Sequence, residues 1–80
     1  MYKIYKNVET WDEDNYLIVD CYSNQYFHSS LTKFGNSVIG YSDYTHKCLE
    51  SNKQYVYLGE CKYRKEVLLT LPMLDLLADV

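Results

Sequence analysis

Three cysteines and two histidines are the side chains here that combine nucleophilic, basic and soft-metal chemistry: Cys21, Cys48, Cys61, His28 and His46. A Cys–His pair works as nucleophile and base only when the fold brings the two side chains together. The tripeptide HKC sets His46 and Cys48 two apart, which on a strand puts both on one face. With Cys61 and either Cys21 or His28 they would complete a tetrahedral zinc set. The spacing lacks the paired-cysteine knuckle of structural zinc sites. Packed thiols and no bound metal are therefore the expectation, because free cysteine usually behaves as a small buried hydrophobe. The acidic stretch WDEDN (Trp11 to Asn15) lacks the glycine and the bidentate glutamate of a calcium loop. No nucleophile elbow, phosphate loop or HExxH is present. The expectation is a chain that is not an enzyme and holds no cofactor.

Recognition chemistry is better supplied. Ten of the 80 residues are tyrosine. A chain of this length buries roughly 60–65% of the surface its unfolded form exposes, so ten phenol rings overfill the interior and several must be wet. Tyrosine offers a large, stiff contact area with a polar tip and is enriched at interfaces. Its other use is simply to fill half-buried strands. The acids Glu9, Asp12, Glu13 and Asp14 gather beside Trp11. An anchoring Trp ringed by carboxylates suits a basic partner surface and speeds encounter. Trp11, Asp12, Glu13, Asp14, Tyr16, Tyr22, Tyr26, Tyr41 and Tyr44 are the expected partner-binding residues.

Net charge bounds the partner. Acidic residues outnumber basic ones 11 to 8, for a net charge of −3. Phosphate binding is led by Lys and Arg, so free nucleic acid is disfavoured, and the positive charges cluster only at KYRK (Lys62 to Lys65). An aromatic-rich β-barrel that binds single strands, or one that holds a structural metal, is the alternative reading. The opening MYKIYKNVETW lacks the apolar core of a secretory signal. No apolar run approaches the roughly 20 residues that span a bilayer. The expectation is a cytoplasmic protein with free thiols and no membrane partner.

The elements that must position these residues follow from a period of two. In MYKIYKNV, Tyr2, Ile4, Lys6 and Val8 take one face, and Lys3, Tyr5 and Asn7 the other, as in a half-buried strand. YLIVDCY is a second strand with Leu17, Val19 and Cys21 opposite Tyr16, Ile18, Asp20 and Tyr22. SNQ turns the chain into YFHSSLTK. FGNS reads as a further turn, since Gly35 and Asn36 both tolerate positive φ. VIGYSDYTH is a fourth strand. KCLESNK is a loop or a single helical turn. QYVYLGECKY resumes alternation, with Tyr55, Tyr57 and Gly59 opposite Val56, Leu58 and Glu60. KEVLLTL fits either a strand or a helix start. Pro72 marks the first turn of a terminal helix, with Thr70 as its cap. The expected fold is α+β: one domain over residues 1–80, a small antiparallel β-sheet or half-barrel of five to six strands, and one short C-terminal helix.

Met73, Leu74, Leu76, Leu77 and Val80 cover more than one stripe of that helix, so a second copy of the chain is a further expected partner. Within it, MLDLL (Met73 to Leu77) resembles the short bacterial sliding-clamp-binding motif Gln-Leu-Asp/Ser-Leu-Phe. Leu74, Asp75 and Leu76 match; Met73 stands for the glutamine and Leu77 for the phenylalanine. In size, acidity and aromatic content the chain is similar in kind to the short proteins that phages direct at host machinery, which implies a host-cytoplasmic viral protein. Together these readings converge on a small non-catalytic protein-binding module that inhibits or modulates a larger protein or complex with a basic surface.

Overall fold

The computed structural model describes residues 1–9, 15–38, 49 and 54–77. Five strands form one sheet: β1 (Tyr2–Asn7), β2 (Tyr16–Asp20), β3 (Gln25–Ser29), β4 (Phe34–Val38) and β5 (Tyr55–Cys61). A C-terminal helix, Arg64–Leu77, follows. The sheet order is β4-β3-β2-β1-β5, and every neighbouring pair is antiparallel. The first four strands therefore form a meander, and the last crosses back to pair with the first.

Alternation in the sequence becomes two buried faces. Ile4, Tyr16, Ile18 and Phe27 lie on one face, beneath Val67 and Leu71 of the helix. Tyr5, Leu17 and Val19 lie on the other, against Leu49. β1 and β2 are covered on both sides, which explains the unbroken apolar run of YLIV: a strand buried on both faces loses its polar alternation. The β2–β3 turn is held by Asp20, whose Oδ1 accepts from the backbone N–H groups of Tyr22 (2.9 Å) and Ser23 (3.3 Å). Asn24 closes it at φ 57°, a conformation asparagine tolerates.

Three expectations are corrected. FGNS is not a turn but most of β4. The chain reverses earlier, over Ser30 to Lys33, where the Ser30 hydroxyl accepts from the N–H groups of Thr32 and Lys33 and donates to the Lys33 carbonyl. That serine-centred turn takes the place of a glycine turn, and Phe34 is drawn into the sheet by an edge-to-face contact with Phe27 at 4.9 Å. Second, the helix begins at Arg64 rather than at Pro72, so Pro72 and Thr70 are interior. Proline there leaves the Leu68 carbonyl without its usual N–H donor. Burial of Val67 and Leu71 offsets that loss and extends the helix through KEVLLTL. Third, Gly59 and Glu60 exchange faces.

The exchange comes from a β-bulge. Opposite β1 the register shifts between Ile4 and Tyr5, so Ile4 pairs with Gly59 while Tyr5 pairs with Tyr57. One extra residue flips everything beyond it to the opposite face. Gly59 has φ +157° and turns toward the helix, where a Cβ would stand 2.9 Å from Leu74 Cδ1. The backbone angle favours glycine here, and a Cβ would in addition have to push aside the flexible end of the Leu74 side chain.

Candidate functional site

The helix is pinned at its far end by a polar cluster. Asp75 Oδ1 accepts from the Tyr16 hydroxyl at 2.6 Å and from Lys6 Nζ at 2.9 Å. Tyr16 and Lys6 are cross-strand partners in β2 and β1, so one carboxylate clamps two strands to the helix. Burial alone would push the Asp75 carboxyl up; the Tyr16 and Lys6 bonds outweigh it and hold the group below the usual aspartate value. Burial, reinforced by the same carboxylate, pushes the Tyr16 phenol far above 10. The cluster adds a polar tie to the packing of Val67, Leu71 and Leu74, which turns this side of the helix inward.

Val67, Leu71 and Leu74 face the sheet. Leu69, Met73, Leu76 and Leu77, at spacings of four, three and one, share the opposite side. Their relative exposures are 73%, 65%, 84% and 79%. This outward apolar stripe is the first candidate surface. It spans most of the MLDLL segment, but Leu74 and Asp75 of that segment are turned inward, half-buried on the sheet.

At the helix start lies a second surface, an aromatic and basic corner. Tyr22 (64% exposed) and Tyr63 (49% exposed) stand at its rim. The Tyr22 ring lies 5.7 Å from that of Tyr2, and its hydroxyl donates to the Lys62 carbonyl at 3.1 Å. Lys62 and Lys65 place their ammonium groups 5.5 and 5.9 Å from the Tyr63 ring. Arg64 lies over both Phe27 (4.6 Å) and Phe34 (5.0 Å), capping the core with a cation–π contact. The fold thus gathers KYRK with aromatics from four other segments, a clustering that sequence spacing alone did not show.

On the sheet face away from the helix is an open pocket of about 360 Å³ between Tyr5, Leu49, Tyr55 and Tyr57, with Lys3 and Glu60 at its rim. Tyr5 and Tyr57 pack at 5.5 Å, and the Tyr57 hydroxyl donates to Glu60. Burial, and then the bond to Glu60, raises the Tyr57 phenol.

The expected binding residues scatter. Tyr22 is exposed and Tyr26 half-buried. Tyr16 is a correction: at 4% exposure, with its hydroxyl on Asp75, it belongs to the core rather than to a contact surface. Trp11, Asp12, Glu13, Asp14, Tyr41 and Tyr44 lie outside the described residues, as do His46 and Cys48. Cys61 packs against the helix-side core and Cys21 against the opposite one, so the two are not co-ligands across the sheet. No group of three metal-ligating side chains converges among the described residues. Burial, with the Glu66 charge beside it, raises the Cys61 thiol, which disfavours the reactive thiolate. Tyr63 and the outward leucines were legible as surplus aromatics and surplus helix stripes, but not as a shared location. Among the described residues no helix is long and apolar enough to cross a membrane. No protein-family model, no curated protein and no solved structure matches this chain.

Proposed function

We propose that this chain is a small non-catalytic protein-binding module that inhibits or modulates a larger protein, and that it makes contact through the outward stripe of its C-terminal helix. One observation carries the reading: Leu69, Met73, Leu76 and Leu77 are all more than three-fifths exposed although the helix has already committed Val67, Leu71 and Leu74 to its own core. Neighbouring apolar side chains left this exposed commonly mark an interaction site. Anchors spaced this way along one helix side are also how amphipathic helices enter apolar grooves. The test is affinity capture with the wild-type chain beside a Leu69→Glu/Leu76→Glu variant, matched for circular dichroism and melting temperature. A specific partner retained by the wild type and lost by the variant supports the reading. A partner retained equally by both overturns the stripe as the contact surface.

The aromatic and basic corner favours a second reading, single-strand nucleic-acid binding. Tyr22 and Tyr63 offer stacking faces beside Lys62 and Lys65. Here the Lys62→Glu/Lys65→Glu variant is titrated with labelled single-stranded oligonucleotides beside the wild type, at about 50 and 200 mM salt. Binding by the wild type that weakens with salt and disappears in the variant supports it; no binding at the lower salt removes it.

A further inference from the structure

Charge placement along the helix names an occupant for its exposed stripe. Lys62, Arg64 and Lys65 crowd the helix start, with Glu66 the one acid in the first turn, and the last turn carries no basic residue. This order opposes the helix macrodipole, whose positive end favours anions and whose negative end favours cations. Arg64 is offset within the chain by its place over Phe27 and Phe34, which leaves the exposed Lys62 and Lys65, beside Tyr63, as the cations that a partner would offset. A second helix laid antiparallel compensates at both ends: each basic start meets the partner's last turn, which carries no basic residue, and the two dipoles oppose one another.

We propose that a second copy of this chain covers the stripe, the two helices running antiparallel about a two-fold axis at Met73. The inference rests on the reading of the stripe as a contact surface. Met73 is the midpoint of Leu69 and Leu77, so a two-fold axis there sets Met73 against Met73 and Leu69 against Leu77 of the partner, the self-complementary pattern such an axis requires. At 1.5 Å per residue, Lys65 lies about 12 Å from the axis and Leu77 about 6 Å. Lys65 therefore projects about one turn beyond the partner's Leu77, at the negative end of that helix's dipole. Between Leu69 and Leu77 the contact side holds no charge that the pairing would strand, because Asp75 is turned inward onto Tyr16 and Lys6. Four side chains are few beside the roughly 20–30 residues a side of a standard stable interface. The dimer is accordingly weak and dynamic, and a larger protein binding the same stripe must compete with it.

Sedimentation equilibrium from about 10 µM to 1 mM chain tests this, the range following from the small interface. The wild type is expected to rise from the mass of one chain toward two. Leu69→Glu/Leu76→Glu is expected to stay at one chain throughout. Orientation is read by oxidising single-cysteine additions and identifying linked peptides by mass spectrometry, which separates them from links through Cys21, Cys48 or Cys61. Met73→Cys should link to itself, and Leu69→Cys should link to Leu77→Cys in a mixture far more than to itself. Equal self-linking of Leu69→Cys indicates a parallel pair and overturns the arrangement. A wild type that remains monomeric at 1 mM, or that instead sediments with anionic phospholipid vesicles, overturns the dimer. Neither result touches the capture experiment, in which the stripe stands or falls on a different partner.

Discussion

Replacing Asp75 with alanine tests whether the carboxylate clamp holds the helix in place. The substitution removes two charge-assisted hydrogen bonds, each worth about 1.5–3 kcal/mol in a protected setting. It also leaves the hydroxyl of Tyr16, a residue 4% exposed, without its acceptor. The Lys6 ammonium is partly open to water and recovers much of its solvation. The net loss is expected at about 2–3 kcal/mol, against a total of about 4–12 kcal/mol for a chain this size. At about 4–8 °C per kcal/mol, the melting temperature should fall by about 10–20 °C. Urea unfolding of wild type, Asp75→Ala, Tyr16→Phe and the double variant at pH 7 closes a cycle. Coupling between the two sites should be about 1–2 kcal/mol. The advantage of the wild type should also shrink in acid. The folded carboxyl titrates below its usual value of 3.8, so its contribution is full above that value and vanishes as pH falls through the lowered one. A coupling below about 0.3 kcal/mol, within the scatter of additive sites, would refute the clamp.

Two further outcomes follow from the same geometry. Gly59→Ala should cost about 1–3 kcal/mol, because alanine must adopt a disfavoured φ and displace Leu74; a urea midpoint unchanged from wild type would remove the bulge argument. Alkaline titration should separate wild type from Tyr16→Phe. The folded phenol stays protonated above 10, where the unfolded one ionises, so this stabilisation is full below pH 10 and declines at up to about 1.4 kcal/mol per pH unit above it. Tyr2 and Tyr57, also raised, contribute to both proteins, so the difference in slope isolates Tyr16, and equal slopes contradict the assignment.

Strand alternation carried much of the fold. Tyr2, Ile4 and Lys6 do share a face, as do Leu17, Val19 and Cys21, because a single period of two survives wherever the ladder is regular. The antiparallel sheet and the terminal helix were legible on the same grounds. What failed depended on contacts distant in sequence. The bulge at Gly59 exists only against Ile4 and Tyr5, so the faces of Gly59 and Glu60 could not be read from QYVYLGECKY alone. Pro72 reads locally as a helix start; burial of Val67 and Leu71 in a core shared with Ile4, Tyr16, Ile18 and Phe27, 40 or more residues away, carries the helix through it. Tyr16 resembled its neighbours as a surface aromatic until Asp75, 59 residues on, claimed its hydroxyl. The candidate site was visible as a surplus, too many leucines for one helix side. Its outward direction follows from the packing of Val67, Leu71 and Leu74 on the sheet, to which the Asp75 clamp adds a tie that no local pattern encodes.

The strand order has a consequence for biosynthesis. β1 occupies an interior position, yet one of its two neighbours, β5, is translated some 50 residues after it. Until β5 has emerged from the ribosome, one flank of β1 keeps its amides and carbonyls unsatisfied. Those groups are a template for any other extended nascent chain. Termination before Tyr55 would therefore yield a product prone to aggregate, and the last strand acts as the seal that turns a sticky intermediate into a finished sheet.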